Sequence, residues 1–308
     1  MQWTFLDGTF VSGPKAKIPI PSGRLSALAA VLVLNHGRAV ERDRIAEILW
    51  EGEHPENARD RLNTMLWRLR TLMRKAGGKG KSLINKRAYL IYQPETAFGS
   101  DIVNISQTAR HVMSHGATGA TGTTDATSAT ADAQVQHLLD CVGDCNMDFL
   151  PGAQDHWSIV TRESLRSGLL VILEALLVHM REQGRWGRVS EVAQKMLTLD
   201  PALESGHRQM IELHSRRHDV GSAERQYSVL QRVLRDRLDV APAPETAAAI
   251  DALKINRSEQ ANPAQNTGQS TGQSTGRPRR QALLSRPSFS AVESALDHLD
   301  AARDKLMG

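Results

Sequence analysis

Few residue groups in this 308-residue chain have the types and spacing to do chemistry. GGKGKS (77–82) looks like the end of a phosphate-binding loop, but G-x-x-x-x-G-K-[ST] needs glycine five residues before Gly80, where Lys75 stands. That segment also follows a predicted helix rather than a strand, and reads as the loop into a hairpin. HVMSH (111–115) and HSRRH (214–218) space histidines four apart, as two imidazoles sharing a metal on one helix face require. Neither has the adjacent glutamate of a zincin or an evident third ligand, so both read as solvent-facing or capping histidines. Asp155 and His156 in FLPGAQDHW have no serine or cysteine in a nucleophile context. Cys141 and Cys145 stand at helical spacing and read as two buried thiols. No catalytic constellation, cofactor site or metal site emerges, and the chain is not read as an enzyme.

A different chemistry, the binding of a polyanion, fits better. The chain holds 38 Lys or Arg against 34 Asp or Glu, a net charge of +4, but the charge is segregated. Residues 1–93 carry 16 basic and 8 acidic side chains, which leaves 22 and 26 for the rest; within 59–87 there are ten basic residues and one acidic, Asp60. Such segregation is the footprint of a nucleic-acid-binding domain joined to a near-neutral one. The residues concentrate in LNTMLWRLRTLMRK (62–75). Leu62, Leu66, Leu69 and Met73 recur at helical spacing and form a holding face. Arg59, Arg61, Asn63, Thr64, Trp67 and Arg68 then lie at least partly outward. Arginine can chelate guanine O6 and N7, asparagine can pair with adenine, and threonine can bond or touch a thymine methyl. Arg70, Arg74 and Lys75 are placed for phosphates, contacts that set affinity and salt dependence without reading sequence. Two blander fates compete: an internal ion pair for Arg70, and a Trp67 covered by the hairpin.

The elements that must position these residues are predicted from periodicity. WTFLDGTFV and KAKIPIP are short β-like pieces punctuated by Gly and Pro. LSALAAVLVLNHG reads as a helix ending at Gly37, ERDRIAEILW as a second, and a third runs from Asn57 to about Lys75 behind Pro55. SLINKRAYLIYQ alternates around a polar turn and places Lys86, Arg87 and Tyr89 on a hairpin, able to enter a minor groove or clamp a backbone. Three helices followed by a basic hairpin is the order of a winged helix-turn-helix, here assigned to 1–98. From Gln154 to about Lys254 the chain reads as helical throughout. Gly187 and Gly221 open two of these helices 34 residues apart, the period of tetratricopeptide helix pairs; an unrelated helical bundle is the alternative. The fold class is thus mainly α: a winged helix with small β-sheets, then an all-α tetratricopeptide-like domain over 101–254.

Two low-complexity stretches, 116–131 and 266–281, cannot offset their own ordering entropy and are expected to be flexible. The first reads as an insertion in the second domain. The tail, 255–308, is expected to be mostly disordered, with an apolar stripe of Phe289, Val292, Leu296 and Leu299 suited to a short helix over 289–307. No run approaches the roughly 20 apolar residues of a membrane span. MQWTFLDGTF lacks the start of a signal peptide, so a cytoplasmic, nucleoid-associated location without membrane contact is expected.

The stretch from Leu28 to Tyr92 resembles the response-regulator-type winged helix, through RIAEILW, LNTMLWRLR and RAYLIY. Residues 101–254 resemble the bacterial transcriptional activator domain, through FLPG (149–152) followed by Trp157 and Arg162, GRW (184–186), LTLDP (197–201) and VAPAPET (240–246). Domains in this order resemble the SARP-type activators over about 250 of the 308 residues. That resemblance implies a transcriptional regulator, an activator by preference, that binds direct repeats in promoter DNA and contacts RNA polymerase; the helical domain is read as mediating homodimerisation, ligand sensing or partner contact. Larger members carry an ATPase domain, for which this chain ends too early. Ala88 departs from the family, which places glycine before the hairpin tyrosine. The competing reading is a helical adaptor whose basic domain binds a protein or another acidic partner.

Overall fold

A computed structural model of the chain describes residues 1–78, 81–94, 98–119 and 149–261. Most of the stretch expected to be flexible at 116–131, the one at 266–281, the tail helix and both cysteines lie outside these residues. The described residues pack as two compact units, which part inside one helix, between Ala175 and Leu176.

The first unit opens with β1 (Gln2–Thr4), β2 (Phe10–Ser12) and β3 (Lys17–Pro19), the two β-like pieces of the sequence. They form an antiparallel meander joined on its other edge by β7 (Gly99–Ser100), parallel to β1, in the order β3-β2-β1-β7. Helix α1 (Arg24–Leu34) buries nine of its eleven residues, Leu25 through Val33, and is the element around which the others pack. A helix apolar on every side is a central one. Helix α2 (Arg42–Leu49) buries Ile45, Ala46 and Leu49.

Helix α3 (Pro55–Lys75) starts two residues earlier than predicted. Proline at its first position costs no hydrogen bond, because the first N–H groups of a helix lack an intrahelical partner. Ala58, Leu62, Leu66, Leu69 and Met73, spaced four, four, three and four, form its buried stripe. Burying a leucine or methionine contributes about 1.5–3 kcal/mol, so this stripe is what fixes the helix rotationally. The helix ends where Gly77 turns left-handed (φ 101°), with Gly78 N–H donating to the Met73 carbonyl at 2.9 Å.

The hairpin follows as β5 (Leu83–Asn85) and β6 (Tyr89–Tyr92). The sequence gives no warning of its third strand, β4 (Ala39–Glu41), which lies between α1 and α2 and pairs antiparallel with β6. Lys86 N–H donates to the Tyr89 carbonyl across the tip at 2.9 Å, and neither Arg87 nor Ala88 has positive φ. Ala88 therefore closes this turn without the freedom of a glycine.

Helix α4 (Asp101–Gly119) packs on α1 and β1. Its first residue, Asp101, accepts from the N–H groups of Phe5, Leu6 and Ile102 at 2.7, 3.0 and 2.8 Å. Burial pushes its carboxyl above the usual range, and these bonds hold it back. Helix α5 (His156–Glu182) follows the FLPG loop. Arg162 on it donates to the carbonyls of Phe149, Leu150 and Ala153 at 3.1, 3.2 and 3.2 Å, so the FLPG-to-Arg162 motif is a clamp on that loop. Asp155 caps α5 through the Ser158 N–H at 2.9 Å and meets Arg24 at 3.4 Å.

The second unit continues with α6 (Trp186–Leu199), α7 (Glu204–Arg216), α8 (Val220–Leu238) and α9 (Pro244–Ala261). Each packs on its neighbour, and α9 returns onto both α7 and α8 around Ile211, Ala223 and Ile250. Gly187 and Gly221 each take the second position of a helix, and those helices begin 34 residues apart. The last helix is 18 residues long. Glu204 at the start of α7 accepts from Ala243 N–H at 3.0 Å and Thr246 Oγ1 at 2.9 Å, closing the second helix pair onto the first. His207, 2% exposed, lies between Pro201 and Gln226, at 3.0 and 2.8 Å. A carbonyl oxygen only accepts, so Nε2 donates to Pro201.

Candidate nucleic-acid interface

The outward face of α3 is open. Arg59, Arg61, Asn63, Thr64, Trp67, Arg68, Arg74 and Lys75 are all exposed, opposite the stripe that holds the helix. Trp67 is 63% exposed, so the hairpin does not cover it. Arg68 makes no hydrogen bond or ion pair among the described residues, and its charge is fully available. Thr64 Oγ1 donates to the Asp60 carbonyl at 3.1 Å within the helix.

Other members of the set are already engaged. Arg59 pairs with Asp43 on α2 through two hydrogen bonds of 2.7 Å. The guanidinium holds the Asp43 carboxyl below the usual carboxylate range, and the carboxylate raises Arg59 in return. Arg61 pairs with Glu53 at 3.0 Å. Arg70 makes no ion pair among the described residues. Half-buried, it donates to the Leu83 carbonyl at 3.4 Å and so ties α3 to β5. Burial, then the nearby Arg42, push its guanidinium below its ordinary value. Arg74 donates to Thr71 Oγ1 at 3.3 Å and remains exposed.

On the hairpin, Lys86 and Arg87 are exposed at the tip and Tyr89 is 40% exposed beside them. Within one unit the structure thus brings together the α3 face and the basic wing as the helix order predicted. The residue that joins them was not anticipated. Arg42, the first residue of α2, donates its backbone N–H to the Ala88 carbonyl at 2.9 Å. Its guanidinium donates to Asn85 Oδ1 on the wing and to Asn63 Oδ1 on α3, each at 2.6 Å. In sequence Arg42 is one charge among several in ERDR; only the pairing of β4 with β6 carries it to the wing.

Neither histidine pair is seen to gather ligands among the described residues. Helix α7 ends at Arg216, and His218 lies beyond it at φ 56°, a terminating residue no longer on the face of His214. His111 is exposed on α4, and the side chain of His115 lies outside the described residues. Among the described residues no three His, Cys, Asp or Glu side chains group as a metal site, and no helix is long and apolar enough to cross a membrane.

Comparisons with known proteins agree with this architecture. Residues 123–254 match the bacterial transcriptional activator domain. No curated protein sequence matches the chain. A solved structure of Mycobacterium tuberculosis EmbR, in complex with a low-affinity phosphopeptide, is similar over 83% of this chain, with a TM-score of 0.61 and 19% sequence identity. The likeness spans 65% of that longer chain. At such identity the shared property is the fold: small N-terminal sheets with helices, then a helical domain.

Proposed function

We propose that the chain is a sequence-specific DNA-binding regulator that activates transcription, with residues 1–98 as its DNA-binding domain and 101–254 as its activator domain. Helix α3 enters the major groove, which is wide enough for one α-helix, and the wing from 82 to 92 follows the adjacent backbone or minor groove. Arg68, Asn63 and Thr64 read base edges, while Arg74, Lys75, Lys86 and Arg87 meet phosphates. Arg59 and Arg61 join once their carboxylate partners are displaced. The helical domain contacts RNA polymerase, as the resemblance implies, and pairs two copies of the chain on direct repeats.

One observation carries this reading: a helix pinned from behind by Leu62, Leu66, Leu69 and Met73 presents Trp67 and an unpaired Arg68 outward beside a basic wing. The exposed Trp67 also favours a second reading, since tryptophan anchors protein interfaces too. In that case the chain is an adaptor for an acidic protein. Titration of the chain against promoter duplexes and scrambled duplexes at several salt concentrations separates the two. A regulator prefers one sequence, and its affinity falls steeply as salt rises, by about 0.9 logarithmic units per logarithmic unit of salt for each phosphate neutralised. Weak binding without sequence preference fits the adaptor.

A further inference from the structure

We infer that Arg42 sets the base preference of the recognition helix: by holding the amide oxygens of Asn63 and Asn85, it leaves a patch of hydrogen-bond donors between helix and wing that selects guanine or thymine rather than adenine under Asn63. The inference rests on the DNA-binding reading above.

A guanidinium only donates, so the amide atom turned toward it must be the oxygen. Arg42 meets Asn63 and Asn85 in this way at 2.6 Å each, and both amide nitrogens are left for other partners. Both asparagines are exposed, so those nitrogens are available to a ligand. Pairing with adenine needs the amide oxygen aimed at N6 and the nitrogen aimed at N7 together. Here the oxygen aims at Arg42 instead. What remains to Asn63 is donation, which O6 and N7 of guanine or O4 of thymine accept; adenine N7 accepts too, but its N6 amino group then faces a patch of donors without an acceptor. The arrangement is held at three points, because the backbone N–H of Arg42 is also fixed to the Ala88 carbonyl at the wing tip. Its ring of partners spans α2, α3 and the hairpin, so the geometry of the wing and the chemistry of the reading face are set by one side chain. Arg42 acts through Asn63 and is a positioning residue.

The test is selection of binding sites from randomised duplexes by the full chain, followed by titration of the four single-base variants at each selected position. The wild type is compared with Arg42→Ala and with Asn63→Asp, which keeps an oxygen for Arg42 but turns a second oxygen outward in place of the donor. The wild type should show guanine or thymine at the position that changes in Asn63→Asp. There Arg42→Ala should move relative affinity toward adenine by about fivefold or more, with preferences elsewhere retained. Asn63→Asp should move it toward cytosine or adenine, whose amino groups donate. The Asn63→Asp shift locates the base under Asn63, and the Arg42→Ala shift there supports the inference; should Arg42→Ala fold poorly, Arg42→Lys, whose single ammonium lacks the fork that holds both asparagines, should shift the preference the same way. A folded Arg42 variant that keeps the wild-type preference overturns it. Adenine in the wild type at that position, or losses of affinity in both variants without a change of preference, overturns it. A wild type that selects no sequence overturns the DNA-binding reading itself.

Discussion

At the scale of single residues, the distinction that matters is between charges already spent and charges still available. Arg68 has no partner among the described residues, so its removal takes away only what it does for a ligand. Arg68→Ala should lower specific DNA affinity by roughly 5- to 150-fold, the range of one base contact of about 1–3 kcal/mol. Its melting temperature should stay at that of the wild type. Loss of melting temperature without loss of affinity, in paired calorimetry and gel-shift titrations, would mean the wrong face has been chosen. Tyr92 offers a second check, on the core beneath the interface. It accepts a hydrogen bond from Trp3 Nε1 at 2.8 Å, and burial pushes its hydroxyl up to about 12. The raised value means that the fold favours the neutral phenol. Its contribution to stability is complete below pH 10 and lost as pH rises from 10 to about 12. Ultraviolet titration should therefore show one of the three tyrosines ionising last, near pH 12, and Tyr92→Phe should remove that phase.

Among elements, the helices, the N-terminal β-like pieces and the hairpin were legible, and strands β4 and β7 were not. The stripe from Leu62 to Met73 has the helical period and is buried as that period requires. The 34-residue spacing of Gly187 and Gly221 likewise reappears as the start of two helices. Strand β4 is three residues long and exists through its pairing with β6, a partner some fifty positions away that no local pattern announces. That omission also hid Arg42 from the candidate site. Glu204 illustrates the same limit, since nothing near it in sequence reveals that it caps the start of α9. Hydrogen bonds to a charged group contribute about 1.5–3 kcal/mol. Glu204→Ala should therefore loosen α9, with faster amide exchange over 244–254 than over α6. Uniform exchange across both helices in the variant would show that the cap matters little. Replacing Arg162 by Ala should free the 149–153 loop for limited proteolysis, since three carbonyls there lose their common donor.

For the whole molecule, the segregated charge decides how association depends on solution conditions. On the DNA-binding reading proposed above, Lys86→Ala and Arg87→Ala at the wing tip should each flatten the salt dependence of binding by about one unit of slope, equally for promoter and scrambled DNA. A change confined to the promoter would instead make them readers of sequence. The two ion pairs beside α3 bear on the same balance. Asp43 and Glu53 stand against Arg59 and Arg61 as stand-ins for backbone oxygens, so any duplex arriving there must evict one anion for each it delivers. Because exposed pairs of this kind are weak, the exchange is near break-even. An arbitrary duplex thus gains little from these two positions. Only a sequence that also satisfies the unpaired groups further along the helix keeps the protein long enough to make the exchange worthwhile.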